Sequence, residues 1–142
     1  MTPLLVKPLA IENNNPPLKK VLCVEDDRDT CDVLRFIMTD YEFVAVHSME
    51  DAEELIAEQT FDLYVLDNWL PDGSGIELCE KIRGSGSKSP IVFTSAIGQL
   101  RDIELAMNAG ADRYLVKPYE PDALLRTVKE LINPTGELAF ES

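Results

Sequence analysis

Acidic, hydroxyl and lysine side chains follow four short apolar runs of this sequence, and their types suit chemistry at phosphorus. They are Glu25-Asp26-Asp27 after the first run, Asp67 after the third, Thr94-Ser95 after the fourth and Lys117 after the fifth. If Glu25, Asp26 and Asp67 converge, two carboxylates about 4 Å apart repel by roughly 4 kcal/mol at an effective dielectric of about 20. Such a cluster favours a hard divalent cation, and open coordination suits magnesium. One carboxylate could then attack phosphorus and form an acyl phosphate, with Lys117 and Ser95 holding the transferred oxygens.

Each of these groups taken alone has a simpler interpretation. Acids before a helix commonly cap it or complement its dipole, Ser95 could satisfy a turn, and Lys117 could be a surface lysine. Asp67, however, follows the apolar run 63–66, so its carboxylate emerges from buried backbone. Unrelated coincidences at one edge of one sheet explain the pattern less well than a single site does.

The elements that would position these residues are five apolar runs that alternate with segments of helical periodicity. The runs cover residues 21–24, 43–46, 63–66, 91–93 and 114–116. The helical segments cover residues 30–38, 49–58, 74–83, 100–108 and 124–132. Strands that are apolar on both faces and are each followed by a helix require a covered parallel sheet. The pattern therefore predicts a three-layer α/β/α domain with five βα units, whose ligands bind beyond the carboxyl ends of the strands.

Composition excludes several classes of function. The 142 residues allow one domain, and 45% hydrophobic with 27% charged residues is typical of a globular protein. The net charge of −13 opposes direct binding to nucleic acid or to anionic lipid. No apolar run reaches the roughly 18–20 residues that a membrane-crossing helix requires.

The two ends of the chain differ from its centre. Residues 1–18 are rich in proline and are interpreted as a flexible arm. Residues 19–133 form the predicted domain, and residues 134–142 are interpreted as a tail with no effector domain after them.

The cysteines and the histidine carry no predicted chemistry. Cys23, Cys31 and Cys79 lack CxxC spacing and lie in apolar patterns, which predicts buried free thiols in a reducing cytoplasm. His47 has no triad partner in the sequence and is interpreted as a surface or loop histidine.

Four ordered segments of the chain resemble the receiver domain of two-component response regulators. They are Val24-Glu25-Asp26-Asp27, the stretch LDNWLPDGSG at 66–75, the stretch PIVFTSA at 90–96 and the stretch GADRYLVKPY at 110–119. The match covers residues 19–132 approximately, and both the order and the spacing of the segments fit that family. The resemblance implies a flavodoxin-like sheet of strand order 2-1-3-4-5.

The resemblance also implies the roles of the acidic residues. Asp67 matches the phosphoacceptor, and Asp26 matches an acid that binds Mg²⁺. Glu25 is the partner of Asp26 and would act behind it or through a water. Trp69 would offer its backbone carbonyl to the metal.

The remaining implied roles belong to residues that follow Asp67 in the sequence, in or directly after the fourth and fifth strands. Ser95, rather than Thr94, matches the switch hydroxyl, because a small alanine follows it. Lys117 matches the lysine that binds the phosphoryl group, with a cis peptide bond to Pro118. Tyr114 matches the aromatic residue that moves inward when the hydroxyl engages the phosphoryl group.

The function implied by the resemblance is phosphoryl acceptance from the phosphohistidine of a sensor histidine kinase or phosphotransfer protein. The face formed by the fourth helix, fifth strand and fifth helix would then signal to a downstream protein or effector domain, and a phosphorylation-dependent homodimer stays open. The chain would catalyse only its own phosphorylation and dephosphorylation, so it is not expected to be an enzyme that turns over a substrate.

Two departures from the family pattern modify these expectations. The family usually has methionine or a similar residue where Trp69 stands, and an indole there could screen the acyl phosphate from water, which predicts a long-lived phosphorylated state. Arg113 stands where the winged-helix transcription-factor branch often has aspartate, so dimerisation in the manner of that branch is not expected.

Two alternatives remain on the same fold. A pseudo-receiver that acts as a constitutive protein-interaction module would be favoured if an acid or the lysine were missing, and none is. A flavin-binding domain would need a loop rich in serine, threonine and glycine after the first strand, where residues 25–27 would instead repel phosphate. No GxxxxGK motif occurs to suggest a nucleotide-binding loop.

Overall fold

The computed structural model of the protein describes residues 17–133, in which five parallel strands form the central sheet. They are β1 (Lys20–Val24), β2 (Glu42–Val46), β3 (Leu63–Asp67), β4 (Ile91–Ser95) and β5 (Arg113–Val116). Their spatial order is β2-β1-β3-β4-β5, and each neighbouring pair is parallel. The predicted fold class and strand order are therefore confirmed.

Five helices cover the two faces of the sheet. They are α1 (Arg28–Ile37), α2 (Met49–Glu58), α3 (Gly75–Gly84), α4 (Leu100–Ala109) and α5 (Pro121–Ile132). Helices α1 and α5 pack on one face, where Val21, Cys23 and Val65 join Leu34 and Leu124. Helices α2, α3 and α4 pack on the other face, against the alternate residues of the same strands. This two-sided burial is the reason that the central residues of the strands are apolar on both faces.

Strands β3 and β4 extend further than their apolar runs predict. Asp67 pairs with Thr94, and Ser95 pairs with Val116, so all of these residues belong to the sheet. Pairing continues because the backbone, not the polarity of the side chain, makes the interstrand hydrogen bonds. The polar side chains are therefore held by a rigid sheet edge instead of a loop.

A short antiparallel hairpin follows β3 and was not predicted from the sequence. Trp69–Leu70 pairs with Gly73–Ser74 around a turn at Pro71 and Asp72, which are residues typical of turns. A side chain at Gly73 would collide with the sulfur of Met49 at the start of α2. The absence of a Cβ atom thus allows the hairpin to pack directly on α2.

The predicted arm and tail, residues 1–18 and 134–142, lie outside the described residues, except for Pro17 and Leu18. Between residues 17 and 133, no helix combines the length and the apolar character needed to cross a membrane. The three cysteines are buried and form no disulfide, as the sequence predicts.

Candidate functional site

The carboxyl ends of β1 and β3 bring three acids together. Carboxylate oxygens of Glu25, Asp26 and Asp67 all lie within 4.8 Å of one another. Glu25 and Asp67 are only 3% and 4% exposed, whereas Asp26 is open to solvent. Hard oxygen donors at this separation, buried on one side and accessible on the other, could hold a divalent metal ion such as Mg²⁺.

Lys117 lies between the two buried acids. Its Nζ atom is 2.9 Å from Oε1 of Glu25 and 3.4 Å from Oδ1 of Asp67. The backbone N–H of Lys117 donates to the carbonyl of Ser95 at 2.8 Å, and the peptide bond to Pro118 is cis, as the resemblance implies. One cation thus bridges two carboxylates, which leaves the three-acid cluster with excess negative charge.

The environment of the cluster changes the proton affinities of its members. Burial and, second to it, the negative charge of Glu25 together raise the pKa of Asp67 to about 6, although Lys117 opposes both effects. For Lys117, burial acts to lower the pKa, but its hydrogen bond to Glu25 and the charges of both acids outweigh burial and raise the pKa of the ammonium. The surroundings of the acid that matches the phosphoacceptor therefore disfavour its ionisation.

The hairpin places Trp69 at the rim of the acid cluster. The backbone N–H of Trp69 donates to Oδ1 of Asp67 at 3.4 Å, and the Trp69 side chain is 59% exposed. Helix α3 begins directly against the end of β3, because a Cβ atom at Gly75 would come within 2.5 Å of the carbonyl oxygen of Asp67. The loop after β3 can therefore close tightly over its own strand end.

Ser95 and Tyr114 are connected through a residue that the sequence gave no reason to select. The N–H of Ile97 donates to Oγ of Ser95 at 3.1 Å, and the hydroxyl of Tyr114 donates to the carbonyl of Ile97 at 2.6 Å. The ring of Tyr114 stacks on Phe93, with centroids 5.7 Å apart. Since both bonds go to main-chain groups, no side-chain pattern could have revealed the connection.

His47 is a loop histidine, as the sequence predicts, but its ring contacts the backbone next to the acid cluster. It does lie in the connection between β2 and α2, but its ring is half-buried, with Nδ1 at 2.9 Å from the carbonyl oxygen of Glu25. A carbonyl oxygen can only accept, so Nδ1 carries the proton in this contact. The thiol of Cys31 donates to the same oxygen at 3.5 Å. Both contacts fix the backbone from which the acidic pair projects.

Comparison with known proteins identifies a single family. A family model described as the response regulator receiver domain matches residues 21–129. The transcriptional regulatory protein DltR of Streptococcus agalactiae is 31% identical over 112 residues, which cover 78% of this chain. The chain spans 50% of the length of that regulator.

Two solved structures share the fold over almost their whole length. A two-component response regulator from Clostridium difficile has a TM-score of 0.77 and 32% identity, covering 81% of this chain and 96% of its own. The BeF3-activated receiver domain of RstA from Klebsiella pneumoniae has a TM-score of 0.72 and 30% identity, covering 80% of this chain and 97% of its own. The residues that carry the three-acid cluster and the lysine lie within residues 21–129, which the family model matches.

Proposed function

Because the chain belongs to the response regulator receiver domain family, we propose that it accepts a phosphoryl group on Asp67 from a phosphohistidine. The observation that carries this proposal is a buried carboxylate, Asp67, that lies beside Glu25 and 3.4 Å from Lys117 at the carboxyl edge of a parallel sheet. A sensor histidine kinase or a phosphotransfer protein would supply the phosphoryl group.

In the proposed step, a carboxylate oxygen of Asp67 attacks phosphorus while the bond from phosphorus to the imidazole nitrogen breaks. The electron pair of that bond leaves with the imidazole, and Asp67 becomes an acyl phosphate. Lys117, already 3.4 Å from Asp67, would hold an oxygen of the transferred group. Later attack by water releases phosphate and restores the carboxylate. The chain thus performs only its own phosphorylation and dephosphorylation.

Asp26, Asp67 and the backbone carbonyl of Trp69 would hold Mg²⁺, with Glu25 behind them or acting through a water. When bound, the ion supplies positive charge that offsets the repulsion between the phosphoryl oxygens and the acids. The oxygen-only donor set and its excess negative charge support this assignment.

The proposed switch runs from Ser95 to the face of α4, β5 and α5. If Ser95 turns toward the phosphoryl group, it releases the N–H of Ile97, whose carbonyl holds Tyr114. Leu100, Met107 and Val116 are at least 41% exposed on α4 and β5 and would contact a downstream protein or effector domain. A phosphorylation-dependent homodimer could use the same face.

The phosphoryl donor would approach beside α1. A cavity of about 570 Å³ lies between α1 and the connection from β5 to α5, and Lys117 and Ala96 form part of its wall. Its mostly apolar lining, which includes Val33, suits side chains of a partner protein.

We place the chain in the cytoplasm, where its three free thiols would stay reduced.

Acetyl phosphate with Mg²⁺ is expected to phosphorylate the purified chain, as measured by the mass gain of one phosphoryl group. Asp67→Asn should abolish the gain, because the amide cannot act as the nucleophile. Asp27→Asn is the matched control, since Asp27 is a neighbouring exposed acid outside the three-acid cluster, and it should be modified like the wild type. Borohydride reduction, which converts an aspartyl phosphate to homoserine, locates the modified residue.

Two results would contradict the proposal. Equal modification of wild type and Asp67→Asn would place the phosphoryl group elsewhere. No modification of the wild type by acetyl phosphate or by a histidine kinase would favour the pseudo-receiver, a constitutive protein-interaction module on the same fold.

The aspartyl phosphate is expected to be long-lived, because the backbone N–H of Trp69 contacts Asp67 and a bulky indole at this position would restrict the approach of water. Trp69→Asn should speed its decay about tenfold, which corresponds to about 1.4 kcal/mol in the barrier. Trp69→Phe keeps an aromatic ring and should decay at nearly the wild-type rate. Decay is followed by mass spectrometry after removal of the phosphodonor, and equal lifetimes for wild type and Trp69→Asn would exclude a protective role.

A further inference from the structure

We propose that His47 and Asp72 are positioning residues that together hold the acidic pair of β1 and the phosphoacceptor loop of β3 at the separation that Mg²⁺ binding requires. We name this pair of contacts the His47–Asp72 clamp. The inference rests on the proposed Mg²⁺ site. Neither residue belongs to the three-acid cluster, and neither is assigned a role by the resemblance.

The first arm of the clamp fixes the backbone of Glu25. The ring of His47 donates from Nδ1 to the carbonyl of Glu25 at 2.9 Å, and the N–H of Glu25 donates to the carbonyl of Val46 at 3.0 Å. Both polar groups of the Glu25 peptide backbone are thus tied to the carboxyl end of β2. This contact sets the direction in which Glu25 and Asp26 leave β1.

The second arm fixes the hairpin that begins at Trp69. The two carboxylate oxygens of Asp72 accept separate backbone bonds, from the N–H of Met49 at 2.7 Å and from the N–H of Glu50 at 2.9 Å. These are the first two N–H groups of α2, which have no partner within the helix. These bonds hold the pKa of Asp72 below its usual range. Gly73 adds close packing against Met49.

The two arms meet because His47 precedes Met49 by only two residues. Strand β2 lies next to β1 but not next to β3, so the sheet itself does not connect β2 to the loop after β3. The clamp supplies that connection across the end of β1. On the other side of the cluster, Lys117 makes the opposing contact with Glu25 and Asp67. Three acids that repel one another are therefore held from two sides, before any cation binds.

The contact geometry gives a direct test through the fluorescence of Trp69, the only tryptophan of the chain. His47→Leu removes the imidazole donor to the carbonyl of Glu25 and leaves only the weak thiol donor of Cys31, and Asp72→Ala removes both acceptors of the second arm. Each variant is expected to raise the Kd for Mg²⁺ about tenfold, as loss of an outer contact to metal ligands commonly does. If the arms act as one unit, the double variant should also bind Mg²⁺ about tenfold more weakly than the wild type, not about a hundredfold more weakly.

Rescue and matched controls separate positioning from general loss of stability. His47→Asn keeps an N–H donor where Nδ1 lies and should bind Mg²⁺ within about threefold of the wild type. Ser48→Ala removes the other cap of the same helix, the bond from the N–H of Asp51 to Oγ of Ser48, without touching the hairpin. It should lower the melting temperature and leave the Kd for Mg²⁺ unchanged. Asp72→Asn, which keeps one acceptor, replaces Asp72→Ala if that variant does not fold.

Each outcome decides the proposal. Variants that bind Mg²⁺ as tightly as a responsive wild type would overturn the clamp and leave the proposed function intact. Additive losses of Mg²⁺ affinity would show that the two arms act independently, and an equal loss in Ser48→Ala would show that they act through stability alone. Either result would overturn the clamp. A wild type without a saturable response to Mg²⁺ would overturn the metal site, and the clamp with it.

Discussion

Lys117→Met is expected to destabilise the metal-free chain at pH 7.5 by about 2 to 3 kcal/mol. Removing one partner of a buried ion pair typically costs about 3 to 5 kcal/mol, and the 27% exposure of Lys117 reduces the effect. The loss arises because Glu25 and Asp67 would remain buried, close together and without a counter-charge. Urea denaturation in EDTA measures the free energy of unfolding.

The pH dependence and a second substitution test the cause of this loss. The deficit should narrow as the pH falls toward about 6, the pKa of Asp67 in the wild type, because the pKa of Asp67 lies higher without Lys117 and a protonated Asp67 needs no counter-charge. Adding Asp67→Asn to Lys117→Met should restore most of the lost stability at pH 7.5. A deficit that persists in the double variant would attribute the effect to lost packing of the lysine stem instead.

Asp67→Asn is expected to stabilise the metal-free chain at pH 7.5 by about 2 to 3 kcal/mol. Burial raises the pKa of Asp67 from 3.8 to about 6, so the folded chain binds a proton that the unfolded chain releases between these values. Wild-type stability should therefore fall as the pH rises from about 4 to about 6. The asparagine variant, which has no carboxyl group at this position, should lack this decline.

Urea denaturation of both proteins across this pH range, in EDTA, measures the difference. The difference in the free energy of unfolding between Asp67→Asn and wild type should be small at pH 4 and should reach its full size at pH 7. Mg²⁺ should reduce this difference by stabilising only the wild type. Asp72→Asn is the opposite control, because backbone bonds lower the pKa of that carboxyl and its replacement should destabilise. Equal stability of Asp67→Asn and wild type at pH 7.5 would contradict the raised pKa.

The fold and the convergence of the candidate site could be predicted because parallel strands end at one edge. Apolar runs located all five strands, and the polar residues that follow them had to meet once the order of the strands was known. Asp67 and Lys117 are such residues, and the structure places them 3.4 Å apart. The exact ends of β3 and β4 could not be predicted, since backbone pairing extends beyond the apolar residues.

The contacts that orient the site were beyond sequence patterns for a common physical reason. The ring of His47 and the carboxylate of Asp72 bond to peptide groups, which every residue has, so no particular partner is specified in the sequence. The hairpin that follows Asp67 contains a recognisable turn, yet its packing on α2 depends on the space left by Gly73. Such contacts and packing become visible only in the three-dimensional structure.

The connection between Ser95 and Tyr114 has a consequence for how this protein can diverge. Both bonds use the peptide groups of Ile97, so the side chain at that position is free to change without breaking either one. Proline, which lacks the N–H group, is the exception. Sequence drift at position 97 would therefore preserve both hydrogen bonds, and a search for co-varying side chains would pass over the residue that joins Ser95 to Tyr114.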